Sequence, residues 1–203
     1  MLAFIAPGQG AQTPGMLTPW IAKPEALELL KAWSAEIDLD LVRLGTTADA
    51  GEIKDTANAQ PLIVAAWLLG ARALSDYRFA VVAGHSVGEI TAAALAGVIS
   101  EIDAMKLVRA RGIEMAKAAA LKPAGMAAVL GGDRTVVLKA ISDLGLVAAN
   151  DNGAGQIVAA GDLDALAQLA PDGARVRALA VAGAFHTSYM QSAVKPLRAL
   201  AAE

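Results

Sequence analysis

The chain has 203 residues, enough for one domain with a sizeable core, or one domain carrying a small insertion. Its formal net charge of −3 offers no basic footprint for nucleic acid or an anionic membrane. The absence of cysteine excludes disulfides, thiol catalysis and cysteine-based metal sites, and an apolar content of 56% with 4% aromatics favours helices layered closely on a sheet.

In chain order, Met1-Leu2-Ala3-Phe4-Ile5 lacks the basic start of a signal peptide, and Leu2 to Ala6 reads as a buried strand. It runs into a glycine loop, Pro7-Gly8-Gln9-Gly10-Ala11-Gln12. Pro24 to Ile37 has helical spacing, with Pro at the first turn and Leu27, Leu30 and Ile37 on one side. Gly45 to Asn58 is polar and carries loop signals. Gln60 to Ser75 is a second helix with so little polar surface that burial is expected. Its most apolar stretch, Leu62 to Ala71, is too short to span a bilayer, so a soluble cytoplasmic protein is expected. A strand over Phe79 to Ala83 precedes Gly84-His85-Ser86-Val87-Gly88-Glu89, and the Ala-rich stretch Ile90 to Gly97 is helical. Glu101 to Leu121 is a longer helix, ended by Lys122-Pro123-Ala124-Gly125.

The pattern then changes. Strands are expected over Met126 to Leu130, Leu146 to Ala149, Gln156 to Ala160 and Arg175 to Ala182, with helices over Asp133 to Leu144 and Asp162 to Leu169. That order, β-α-β-β-α-β, is the split, ferredoxin-like unit. It reads as an inserted subdomain over 125–183, leaving 1–124 and 184–203 as an α/β core. Gly183-Ala184-Phe185-His186 and a final helix from Ser188 to Ala202 follow.

Strand, Gly84-x-Ser86-x-Gly88, helix is the arrangement of a nucleophile elbow, against the plainer reading of a Gly-rich turn. Such an elbow lifts Ser86 clear of an α/β-hydrolase-like parallel sheet. A serine nucleophile needs a base, and the chain has two histidines. His85 adjoins Ser86, where an elbow aims its side chain elsewhere. His186 lies far downstream in a Gly-flanked loop after a strand, the late position of a hydrolase base, although a capping histidine fits there too. Acyl transfer also needs oxyanion donors. One is the backbone N–H of Val87, and the Gly8-Gln9-Gly10 loop can bring a second close because it carries little bulk.

Arg109 and Arg111 both lie among apolar neighbours on the long helix, so spacing does not separate them. A buried arginine without a partner nearby in sequence suggests a carboxylate from elsewhere, either a substrate's or that of a structural ion pair. No metal site is expected: the histidines are far apart, and Asp38/Asp40 and Asp162/Asp164 look like turn and helix-start residues.

Taken together, the chain resembles the malonyl-CoA:acyl carrier protein transacylases of bacterial fatty-acid and polyketide synthesis, the actinobacterial type most of all. The motifs are Pro7-Gly8-Gln9-Gly10-Ala11-Gln12, Ala59-Gln60-Pro61, Gly84-His85-Ser86-Val87-Gly88-Glu89, Arg111-Gly112, the segment Asn150 to Val158, and Gly183-Ala184-Phe185-His186, in order and at family-like spacing. The resemblance implies that Ser86 is acylated, that His186 is the base, and that backbone N–H groups of Gln9 and Val87 hold the oxyanion. It implies that Arg111, rather than Arg109, pairs with the malonyl carboxylate. Phe185 would narrow the pocket against a branched methylmalonyl group, and Asn150 and Asn152 would lie near the pantetheine and acyl chain. Malonyl-CoA and acyl carrier protein are the implied partners. No cofactor is implied, because the phosphopantetheine belongs to the carrier.

The resemblance also implies that the family's C-terminal third is absent here, with a later strand, helices and the group that orients the histidine, at a cost to activity. Two other functions fit an elbow: a serine esterase or thioesterase, and an inactive carrier-binding fragment. The lack of a His-Gly-Gly-Gly oxyanion motif argues against the lipase type.

Overall fold

Leu2–Ala6 forms strand β1 and Phe79–Gly84 forms β2 in a computed structural model that describes residues 1–202. The two strands pair in parallel, Phe4 against Val82 and Ala6 against Gly84. Phe4 and Ala6 point into the core, where the Phe4 ring meets Trp67 and Phe79 edge-on at 5.8 and 5.3 Å. Ala3 and Ile5 alternate to the other face and are exposed, as is Val81, and Leu2 is exposed at the start of the strand. A buried strand was expected over Leu2–Ala6; period-two alternation leaves only one of its faces covered.

Helices cover one face of this pair. α1 (Thr18–Ile21) is a single turn, and α2 (Pro24–Ile37) opens on Pro24 and stops where Asp38 turns left-handed, at φ 48°. α3 (Leu41–Thr46) is capped by the Asp40 carboxylate, which accepts from the Arg43 N–H at 2.9 Å. This helix occupies part of the stretch expected to be a loop. Gly45 lies inside it because a Cβ there would collide with the fully buried Leu17 side chain. After a 3-10 turn over Glu52–Lys54, α4 (Thr56–Ala73) starts earlier than expected, with Asp55 accepting from the Ala57 N–H at 2.7 Å.

α4 is buried almost throughout, and Leu62, Ile63 and Leu68 anchor the main core with Leu30, Trp33, Leu44 and Met105. Each such fully buried aliphatic side chain contributes about 1.5–3 kcal/mol. α5 (Gly88–Leu95) follows β2, and α6 (Glu101–Leu121) completes the helices before the second sheet. The chain divides within α6 into two compact units: residues through Ile113, joined by those from Leu200 on, form the first, and Glu114–Ala199 form the second.

The second unit holds a four-stranded antiparallel sheet of β3 (Gly125–Gly131), β4 (Val147–Asp151), β5 (Gln156–Gly161) and β6 (Ala174–Ala178), in the order β4-β5-β3-β6. With α7 (Arg134–Asp143) and α8 (Leu163–Gln168) between strands, this is the ferredoxin-like βαββαβ topology. Both helices start on an aspartate cap, Asp133 and Asp162. Val129, Ile157, Val137 and Ile141 fill one side of the sheet. Met126, Val158 and Ala160 pack on the other with Met115, Ala118, Phe185 and Met190. β6 is shorter than the expected Arg175–Ala182. The last helix begins as a 3-10 turn, Ser188–Met190, before α9 (Gln191–Leu200). Among the described residues no helix is long and apolar enough to cross a membrane.

Candidate active site

Parallel pairing brings the C-terminal ends of β1 and β2 side by side, so the glycine loop and the Ser86 turn leave the same end of the sheet. The His85 N–H donates to the Ala6 carbonyl at 2.9 Å, which extends the pairing by one bond. At Gly84 a Cβ would overlap the Gly88 carbonyl, and at Gly88 a Cβ would overlap the Ala6 carbonyl. Backbone atoms cannot yield as a flexible side chain can, so both positions require glycine. Between them Ser86 takes φ 54°, a left-handed conformation that costs a serine on the order of 1–3 kcal/mol. Val87 is fully buried and is the N-cap of α5. Among the described residues, neither the Gln9 N–H nor the Val87 N–H has a protein acceptor.

Arg111 extends from α6 toward this turn. Its Nη2 donates to the Ser86 Oγ at 3.3 Å and its Nη1 to the Gln60 Oε1 at 2.7 Å. Gln60 Nε2 in turn donates to Gln9 Oε1 at 3.3 Å, and Gln9 Nε2 to the Thr56 Oγ1 at 3.4 Å. Burial lowers the Arg111 pKa, against the opposing pull of the Glu89 charge. Arg111 makes no ion pair with a described carboxylate. A guanidinium stays protonated under such a shift, so a desolvated cation stands beside the serine.

Arg109 does something else. Its Nη1 donates to the Ala57 carbonyl at 2.9 Å. The two arginines reach α4 because α6 approaches its first turn closely at Gly112, where a Cβ would lie 2.8 Å from the Thr56 carbonyl oxygen.

In the second unit, Ala184 and Phe185 are buried and His186 is exposed. Phe185 packs among Met115, Ala118, Met126 and Met190. His186 is left-handed, φ 59°, in a turn closed by the Thr187 hydroxyl, which donates to the Ala184 carbonyl at 2.6 Å. Asn150 lies in β4 beside a register shift after Ala148. Asn152 is exposed in the following hairpin, its Nδ2 donating to Gln156 Oε1 at 2.9 Å. The first unit therefore holds Gln9, Ser86, Val87 and Arg111. The second holds His186 and Phe185 in one loop and Asn150 and Asn152 at another. Gln60 and Thr56 had no role from spacing alone; their signal was polarity in a helix otherwise nearly devoid of it. Among the described residues no cluster of side chains could hold a metal.

The acyl transferase domain family matches residues 3–203. A malonyl CoA-acyl carrier protein transacylase of Mycobacterium bovis is 58% identical over 210 residues, covering 100% of this chain and 70% of that protein. The crystal structure of the Mycobacterium tuberculosis MCAT superposes with a TM-score of 0.96 at 58% identity, over 100% of this chain and 70% of that one. The malonyl-CoA:acyl carrier protein transacylase of Xanthomonas oryzae pv. oryzae gives 0.90 at 36% identity, over 99% of this chain and 68% of its own.

Proposed function

Because the chain belongs to the acyl transferase domain family, we propose that it moves a malonyl group from malonyl-CoA to the phosphopantetheine thiol of acyl carrier protein, in fatty-acid synthesis. In this reading Ser86 Oγ gives its proton to His186 and attacks the thioester carbonyl. The N–H groups of Gln9 and Val87 hold the negative oxygen that forms. The carbon–sulfur bond breaks, and coenzyme A leaves with the proton returned by His186. The carrier thiol then gives its proton to His186 and attacks the serine ester. The carbon–Oγ bond breaks, and Ser86 recovers its proton.

Arg111 pairs with the malonyl carboxylate, Phe185 limits branching at the acyl carbon, and Asn150 and Asn152 flank the pantetheine. Residues 1–124 with 184–203 act as the catalytic core and 125–183 as the inserted subdomain; the four-stranded sheet lies within the latter, although the compact unit around it extends over Glu114–Ala199. The reaction needs no metal or cofactor, membrane or nucleic acid, and takes place in the cytoplasm.

The observation that carries this reading is Arg111, desolvated, without an ion-pair partner among the described residues, and hydrogen-bonded to the Ser86 hydroxyl. A carboxylate-bearing acyl group on Ser86 would meet that charge, whereas acetyl would leave it unanswered. Mixing the chain with malonyl-CoA should add one malonyl mass to the intact protein, located at Ser86 and absent in Ser86→Ala. Arg111→Ala should lose malonyl adduct at least about tenfold more than acetyl adduct. Equal losses would remove Arg111 from substrate recognition.

A further inference from the structure

A guanidinium is donor-only, and this gives a direction to the hydrogen bonds around it. Gln60 must turn Oε1 to Arg111, so its Nε2 is left to donate to Gln9 Oε1, and Gln9 Nε2 donates on to Thr56. Gln60 is 1% exposed and Thr56 fully buried, so water is kept from these two groups, while Gln9 between them is half-buried. One buried amide thus links the arginine beside Ser86 to the loop that carries the Gln9 N–H.

We propose that Gln60 is a positioning residue that sets acyl-group selectivity: its neutral amide orients Arg111 without discharging it. The inference rests on the transferase reading above. A carboxylate at position 60 would hold the guanidinium equally well, yet would satisfy its charge internally and repel a malonyl carboxylate. The amide leaves the charge available to the substrate. Through Nε2 the same amide steadies the Gln9 loop, so the carboxylate reader and an oxyanion donor share one support.

The test compares wild type, Gln60→Glu and Gln60→Met by intact mass with malonyl-CoA or acetyl-CoA, alongside thermal melts. Gln60→Glu should lower the malonyl-to-acetyl ratio of initial acylation rates by about tenfold or more. The Gln9 and Thr56 side chains can invert their hydrogen bonds to accommodate that carboxylate. Gln60→Met keeps the side-chain length but offers Arg111 no acceptor, and should lower malonyl acylation more than acetyl acylation. It decides the matter if the glutamate variant does not fold. An unchanged ratio, or an equal fall for both acyl groups, overturns the proposal.

A wild-type chain that forms no malonyl adduct would count against the transferase reading itself. The role of Gln60 is then read from melts with added malonate, which should raise the melting temperature of wild type and not of Gln60→Glu. Equal shifts in the two proteins, or none in either, overturn it.

Discussion

Arg109 serves the one α4 carbonyl that Pro61 cannot: its Nη1 lies 2.9 Å from the oxygen of Ala57, four residues before the proline. An α-helix bonds each carbonyl to the N–H four residues on, and proline has none. Arg109 is thus a structural group, while Arg111, two residues later, faces Ser86. Arg109→Met should destabilise the fold by about 1–3 kcal/mol, the cost of a carbonyl left without its donor. It should leave the malonyl-to-acetyl ratio as it was. Arg111→Met should lower that ratio, while the relief of removing a desolvated cation offsets the loss of the donor to Gln60 Oε1. Urea denaturation and acyl-adduct ratios on both variants check this; a selectivity change in Arg109→Met would contradict the division.

Ser86 sits at φ 54° in the tight turn between Gly84 and Gly88. That strain belongs to the backbone, so it persists in Ser86→Ala and is relieved in Ser86→Gly, since glycine enters the left-handed region without a Cβ penalty. Ser86→Gly should be more stable than Ser86→Ala by about 1 kcal/mol, although neither can form an acyl adduct. Identical denaturation midpoints would show that the turn stores no such strain.

These residues also show what the sequence could reveal. The helix caps were readable, since Asp133 and Asp162 precede apolar runs at cap positions and their carboxylates accept from the following N–H groups. The Ser86 turn was readable too, because only glycine fits its two flanks. α3 was not, because Gly45 signals a loop locally and is retained in a helix only to admit Leu17. Nor could periodicity separate Arg109 from Arg111. Their difference depends on an N–H missing from Pro61, about fifty residues away in the chain, which becomes relevant only once α4 and α6 are in contact.

The hairpin carrying Asn150 and Asn152 has a pH-sensitive support. Asp151 accepts from Arg134 Nε at 2.9 Å and from the Gly153 N–H at 3.2 Å, and these bonds, Arg134's foremost, hold its pKa below the ordinary carboxylate range. A lowered folded pKa means that the unfolded chain binds the proton first as pH falls. The stabilisation is complete above the ordinary aspartate value of about 3.9 and disappears as pH drops through the lower folded value. The pair is exposed, so its contribution is small and salt-screened. Arg134→Gln should therefore melt slightly below wild type at about pH 7, with the gap closing as acid protonates the folded Asp151. A gap that persists in acid would assign the effect of Arg134 to packing instead.

Gly112 and Gly70 make opposite predictions for the same substitution. Both are helical, and alanine is favoured over glycine in a helix by about 1 kcal/mol. At Gly70 a Cβ meets nothing within 4 Å, so Gly70→Ala should stabilise the chain by up to that amount. At Gly112 the Cβ would lie 2.8 Å from the Thr56 carbonyl oxygen and 3.0 Å from the Ala57 Cα, both backbone atoms. α6 must then move away from the start of α4, which costs about 1–3 kcal/mol of overpacking and outweighs the propensity gain. The same movement stretches the Arg109 bond to Ala57 and the Arg111 bond to Gln60, so Gly112→Ala should lose stability and malonyl selectivity together. Denaturation midpoints with malonyl and acetyl adduct ratios on the two variants check this. Loss of stability with an unchanged ratio would mean that Arg111 keeps its aim independently of the α4–α6 contact.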